Sequence, residues 1–194
     1  MDEQRNRVIP LSLMKWGTEE WVYMFPERAG FGLSSILHIE PNQLLGELGS
    51  RMLHLAAMSP DRPSKEATAD VMQYLLAGRG ADPNVPDNYG RTPLTLFVMQ
   101  ASRCWTSDDD YGCRVLSLLF DHGADANVLF TPDFVHMAAS EKWTLAHHLI
   151  NDYHGRKGWP MPVRMRDLLE SRLDWTLRDS AGRTAERRQI ALAI

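Results

Sequence analysis

With 194 residues and a net charge of −4, the chain offers no basic footprint for nucleic acid or an anionic membrane. Hydrophobic residues make up 44% and charged residues 24%, the balance of a soluble globular protein. No run approaches the roughly 18 apolar residues of a membrane span. The polar start Met1–Arg7 lacks the apolar stretch of a secretory signal, so an intracellular, cytoplasmic location is expected.

The first predicted element is a helix capped by Thr18, running through Glu19, Glu20, Trp21, Val22, Tyr23, Met24 and Phe25 and closed by Pro26 and Gly30. Residues 1–48 read as an N-terminal cap or extension; a recognition segment using Trp16 and Trp21 is the alternative. Gly49-Ser50-Arg51 then leads into a short helix over Met52–Met58. Ser64, after Pro63, can cap a second helix that carries Val71, Met72, Tyr74, Leu75 and Leu76 and stops at Gly80-Ala81-Asp82.

The next stretch repeats that shape. Asp87-Asn88-Tyr89-Gly90 supplies a turn, Thr92 a cap and Pro93 a first helical residue. A short apolar helix follows with Leu94, Leu96, Phe97 and Val98, ending near Gln100. A second covers about Gly112 to Asp121 and is apolar on nearly all sides, so neighbours must sandwich it. Between them lies a long loop, Ser102–Tyr111, which holds Cys104, Trp105 and Asp108-Asp109-Asp110. Asp110 is either a solvated helix cap or part of a binding loop with its acidic and aromatic neighbours. Cys104 and Cys113 are expected as free thiols in a reducing compartment.

Gly123-Ala124-Asp125 repeats Gly80-Ala81-Asp82, and each is followed two residues later by Asn. Further on, Phe134-Val135-His136-Met137-Ala138-Ala139 reads as another first helix and Trp143–Ile150 as its second. In that second helix His148 and Asp152 share a face at i, i+4, but two ligands do not make a metal site. The plainer reading of His147 and His148 is a polar strip on an outer helix. Tyr153–Pro162 breaks the pattern. A short helix then covers Met165–Ser171, Arg172-Leu173-Asp174 takes the Gly-Ala-Asp place, and Asp179-Ser180-Ala181-Gly182-Arg183-Thr184-Ala185 opens a final half-unit.

On these motifs the chain resembles the ankyrin repeat family. The resemblance implies an all-α fold, a short solenoid of stacked helix pairs joined by hairpin fingers, over residues 49–194. The units fall at about 49–87, 88–127 and 128–162, with an irregular helix over 163–172 and a half-unit over 173–194. The 43 residues from Gly80 to Gly123 exceed the family period of about 33, and the excess sits in the inter-helix loops. By the same resemblance His54 and His136 tie adjacent repeats together, with Thr95 replacing the histidine in the middle unit.

No nucleophile elbow, phosphate-binding loop, dinucleotide fingerprint or Cys-x-x-Cys occurs, so no catalytic residue, cofactor or metal is assigned. The resemblance implies a non-enzymatic module that binds another protein through its concave face. The candidate contacts are the finger residues Val85, Asn88, Tyr89, Arg91, Leu129 and Phe130, with Trp105, Asp108, Asp109 and Tyr111 in the long loop. Exposed aromatic and arginine positions, Tyr89 and Arg91 first, would dominate the affinity. A rival reading is a small cofactor-independent enzyme or ligand-binding protein with a pocket lined by Trp105, Asp108, Trp143, His147 and Trp159. A third is self-association through the apolar C-terminal helix Ile190–Ile194.

Overall fold

A computed structural model describes residues 40–45, 48–58, 65–104, 109–132, 141–155 and 162–185, with backbone only at 65–68, 100–104, 109 and 152–155. The expected N-terminal helix, the Phe134–Ala139 segment, Trp105, Asp108, Trp159 and the C-terminal helix lie outside those residues. The described part is helical: α1 (Met52–Ala57), α2 (Lys65–Gln73, continued by a π turn over Tyr74–Gly78), α3 (Pro93–Cys104), α4 (Asp109–Asp121), α5 (Leu145–Gly155) and α6 (Val163–Glu170). Among the described residues extended structure is confined to three isolated antiparallel bridges, Leu45–Ser50, Phe130–Trp143 and Arg178–Thr184.

The helices lie in two rows. In one, α1 packs on α3; in the other, α2 packs on α4 and α4 on α6. The core between them is made by Leu53, Leu55, Met72, Leu75, Leu94, Phe97, Leu116, Leu119, Met165 and Leu169, all at most 1% exposed. These leucines and methionines fill the space without polar atoms to satisfy, and that burial is the main favourable term.

Helix ends follow their sequence signals. The Thr92 hydroxyl accepts the N–H of Thr95 at 3.4 Å ahead of Pro93. Gly123, at φ +83°, stops α4 with a bond from Ala124 N to Leu119 O (2.9 Å), the wrap of a helix C-terminus onto itself. After the π turn the matching bond, Ala81 N to Leu75 O, spans one residue more at the same length. Two expected boundaries move: α3 runs on to Cys104, and α4 begins at Asp109. Asp109, Asp110 and Tyr111 therefore form the first turn of a helix rather than a loop, and Cys113 is half-buried inside it.

Each helix pair is joined to its neighbour by an asparagine. Asn84 accepts the N–H of Asp125 at 2.7 Å and donates to the carbonyl of Gly123 at 2.8 Å. Asn127 accepts from Asp174 at 2.7 Å and donates to Arg172 O at 3.1 Å. Asn42 accepts from Asp82 at 2.9 Å. Arg172-Leu173-Asp174 thus receives from Asn127 what Gly123-Ala124-Asp125 receives from Asn84.

Candidate partner-binding site

A finger runs from a second helix to the first helix that follows it, as from α2 to α3. In the second finger the amide of Asp87 donates to the carbonyl of Arg91 at 2.9 Å, and that of Gly90 to the carbonyl of Asp87 at 3.0 Å. The Asp87 carboxylate accepts the N–H groups of Tyr89 and Arg91 and pairs with the Arg91 guanidinium, whose Nε lies 2.7 Å away. Asp179–Arg183 repeats the same set of bonds, with Ala181 in the place of Tyr89. Burial alone pushes the Asp179 carboxyl up. The hydrogen bonds and charge of Arg183 outweigh that and hold it below the ordinary carboxylate range.

Neighbouring fingers are stitched through their backbones. Asn88 N donates to Leu48 O (3.0 Å), Thr131 N to Tyr89 O (2.8 Å) and Ser180 N to Lys142 O (2.9 Å). This stitching aligns the tips. Leu48 and Tyr89 stand at the tips of the first two fingers, 37% and 42% exposed, and Leu129, 44% exposed, stands at the foot of the third; Val163, at the start of α6, is also exposed. The Arg91 guanidinium lies 4.7 Å from the centre of the Tyr89 ring and supports it from below.

The expected contact residues divide on this frame. Asn88, Tyr89 and Leu129 are exposed, and Val85 and Tyr111 are partly so. Arg91 is a correction: it is 5% exposed, because its guanidinium is spent on Asp87, and it holds the finger together rather than offering a charge to a partner. Phe130 is another, fully buried through its bridge to Trp143. Asp110 is exposed and pairs with Arg164 at the start of α6, at 2.8 Å. The Tyr111 ring packs edge-on against Phe97 with centroids 6.3 Å apart. Leu48 is a tip residue that sequence reasoning passed over. Its signal was position, two residues before Ser50 as Tyr89 is two before Arg91.

The third helix pair corrects a larger expectation. Trp143 does not begin a second helix. It bridges Phe130, with N–O distances of 2.9 and 2.8 Å, and is fully buried. Thr144 and His147 then repeat what Arg51 and His54 do. His54 Nδ1 accepts the Arg51 N–H at 3.1 Å and its Nε2 donates to Arg91 O at 3.0 Å. His147 Nδ1 takes the Thr144 hydroxyl at 2.7 Å and its Nε2 donates to Arg183 O at 2.8 Å. α5 therefore stands where a first helix stands, and α6, stacked on α4, is the second. His147 and His148 are buried, not an exposed strip; the His148 ring meets the edge of Phe130 with centroids 6.2 Å apart.

Trp143 and His147 are both fully buried within the framework. Among the described residues no helix is long and apolar enough to cross a membrane.

The segment from the Gly49 turn through α1 and α2 to the second finger, residues 49–88, matches the family model of the ankyrin repeat. That segment is an ankyrin repeat. No curated protein matches it. Ankyrin repeats are protein-interaction modules, and the helix pair of residues 49–88, with a finger on either side, is one such repeat. His54, at the place the resemblance assigned to it, ties this repeat to the next through the Arg91 carbonyl.

Proposed function

We propose that the chain is a short ankyrin solenoid that binds another protein along its fingers, with Leu48, Tyr89 and Leu129 as the apolar anchors. Asn88 and Val85 flank them. The observation that carries this reading is the exposed apolar row itself: Leu48 and Tyr89 at two finger tips and Leu129 at the foot of the third, on fingers joined by backbone bonds. Apolar and aromatic side chains on a rigid frame are the groups that dominate protein–protein affinity. Loss of side-chain freedom on binding is small, because the frame is already ordered. In this solenoid the units close at Asn42, Asn84, Asn127 and Thr176, so the third contains α5 and α6.

The test is quantitative capture from extract of the source cells by the wild-type chain and by the double variant Tyr89→Ala, Leu129→Ala. A discrete protein retained by the wild type and lost from a variant with unchanged melting temperature supports the reading. Equal capture by both sinks it.

A further inference from the structure

We infer that the partner engaged by the fingers is a polypeptide segment apolar at one end and acidic at the other, its acidic end lying over the fourth finger. The inference rests on the reading of the fingers as the partner surface and names the chemistry of what they bind. Two places in the finger register carry it, each fixed by backbone bonds. The amides of Leu45, Asp87, Phe130 and Asp179 close their fingers by donating to Ser50, Arg91, Trp143 and Arg183. The residues just before them therefore share one place: Leu44, half-buried, then Pro86, Leu129 and Arg178, all exposed. The stitching between fingers sets the second place. The carbonyls of Leu48, Tyr89 and Lys142 accept the amides of Asn88, Thr131 and Ser180, and all three side chains are exposed. Both places are apolar in the earlier fingers and turn cationic at the C-terminal end, where Arg178 follows Leu129 and Lys142 follows Tyr89.

The neighbouring carboxylates do not neutralise these two cations. Asp179, with its side chain 0% exposed, is committed to Arg183. Glu141 accepts from Arg183 and from the Trp143 ring nitrogen. Asp174 accepts the amide of its own turn, as Asp82 and Asp125 do in theirs, so it does not set the fourth finger apart. Arg178 donates to the Gly182 carbonyl at 2.6 Å, within its own finger, and among the described residues neither Arg178 nor Lys142 pairs with a carboxylate. An exposed guanidinium and ammonium at the end of an apolar row select for carboxylates there. Such complementarity governs which partner binds, and in which direction, more than how tightly. The apolar places supply the affinity.

Selection of short random peptides displayed on phage against the immobilised full chain tests it. The selected peptides should carry aromatic or aliphatic residues with Asp or Glu gathered to one side of them. Selection on the charge-reversed variant Lys142→Glu, Arg178→Glu should keep the apolar residues and lose the acidic ones. The milder Lys142→Gln, Arg178→Gln variant, with its melting temperature checked, guards against a misfolded finger. A selected acidic peptide should bind it about tenfold more weakly and with less dependence on salt. Apolar peptides without acidic enrichment, or the same enrichment on the charge-reversed chain, overturn this inference and leave the finger surface standing. Peptides that bind Tyr89→Ala, Leu129→Ala as well as the wild type, or no peptide above background, overturn both.

Discussion

His147 donates its Nε2 hydrogen to the carbonyl oxygen of Arg183 at 2.8 Å, as His54 does to that of Arg91 at 3.0 Å. A carbonyl can only accept, so Nε2 carries the proton and Nδ1 is free to accept from the Thr144 hydroxyl. The ring is 0% exposed and ties α5 to the fourth finger. His147→Ala should therefore destabilise the chain by about 2–4 kcal/mol, since it removes buried packing and leaves a buried carbonyl unpaired. Thr144→Val, which removes the hydroxyl alone, should cost about 1 kcal/mol. Urea denaturation of both variants checks the ordering.

His54 makes the equivalent tie one repeat earlier, and its titration is predictable. Burial, acting against the charged ring, lowers its pKa from 6.5 to about 4. A proton on Nδ1 would also face the Arg51 N–H that now donates to it. Because the folded value is the lower one, the unfolded chain takes up this proton first as the solution is acidified. Stability should fall from about pH 6.5 down to about pH 4, by a total of about 3 kcal/mol for this group. His54→Gln keeps a polar side chain and removes the titration, so its stability curve should be flatter across that window. A parallel slope in the variant would assign the acid sensitivity elsewhere.

Tyr89 and Arg91 are two residues apart and belong to different parts of the protein's work. Asp87 and Arg91 form a pair whose side chains are 0% and 6% exposed. Removing one partner of such a pair strands the other charge. Arg91→Ala should therefore cost about 3–5 kcal/mol. Tyr89→Ala removes an exposed ring and should cost no more than about 1 kcal/mol. In a binding assay, only the tyrosine variant reports on the partner surface. Circular dichroism melts run beside the assay separate the two effects.

Asn84 is the clearest of the inter-repeat rungs, with one bond accepted and one donated across to the next unit. Its side chain is exposed, so Asn84→Ala should cost only about 1 kcal/mol. Asn84→Asp retains the acceptor for the Asp125 amide and loses the donor to the Gly123 carbonyl, placing a charge near that oxygen instead. It should be no more stable than the alanine variant. Guanidinium unfolding resolves differences of that size when the slopes agree.

Much of this was readable from the sequence where a motif recurs whole. Asp87-Asn88-Tyr89-Gly90-Arg91-Thr92 and Asp179-Ser180-Ala181-Gly182-Arg183-Thr184 announce the same finger twice. That recurrence also held the clue to Arg91, since an Asp and an Arg kept four apart in both copies suit an internal pair. One copy alone reads as an exposed charge. The third unit misled for a physical reason. Phe134–Ala139 matches the Pro-Leu-His-x-Ala-Ala pattern more closely than Thr144-Leu145-Ala146-His147 does, and α5 starts without the proline that marks α3. The bridged residues Phe130 and Trp143 stand 13 positions apart, against four for Asp87 and Arg91, and no local pattern announces a bridge of that reach. Asn42 was hidden because its context, Ile39-Glu40-Pro41, shares only the proline with Ala81-Asp82-Pro83. At Thr176 the asparagine is replaced, and the hydroxyl turns back onto Asp174 at 2.6 Å, lowering that carboxyl's pKa.

Gly90 and Gly123 both have left-handed backbones, at φ +76° and +83°, yet substitution should affect them differently. At Gly123 an added Cβ meets nothing within 4 Å, so Gly123→Ala should cost only the backbone strain, about 1–2 kcal/mol. At Gly90 the same atom would lie 2.9 Å from the carbonyl oxygen of Leu129 and 3.4 Å from the Cα of Phe130. Those are backbone atoms of the next finger, which is held to this one by the bond from Thr131 N to Tyr89 O. The neighbouring finger must shift for the methyl to fit, so Gly90→Ala should cost about 1–2 kcal/mol more than its counterpart, a penalty of the size seen for overpacking. The shift would also displace Leu129 from Tyr89. Gly90→Ala should then weaken partner binding beyond its loss of stability, whereas Gly123→Ala should leave binding unchanged. Denaturation curves measured together with affinities for both variants decide it: equal losses at the two glycines would mean that the fingers are not packed tip to tip.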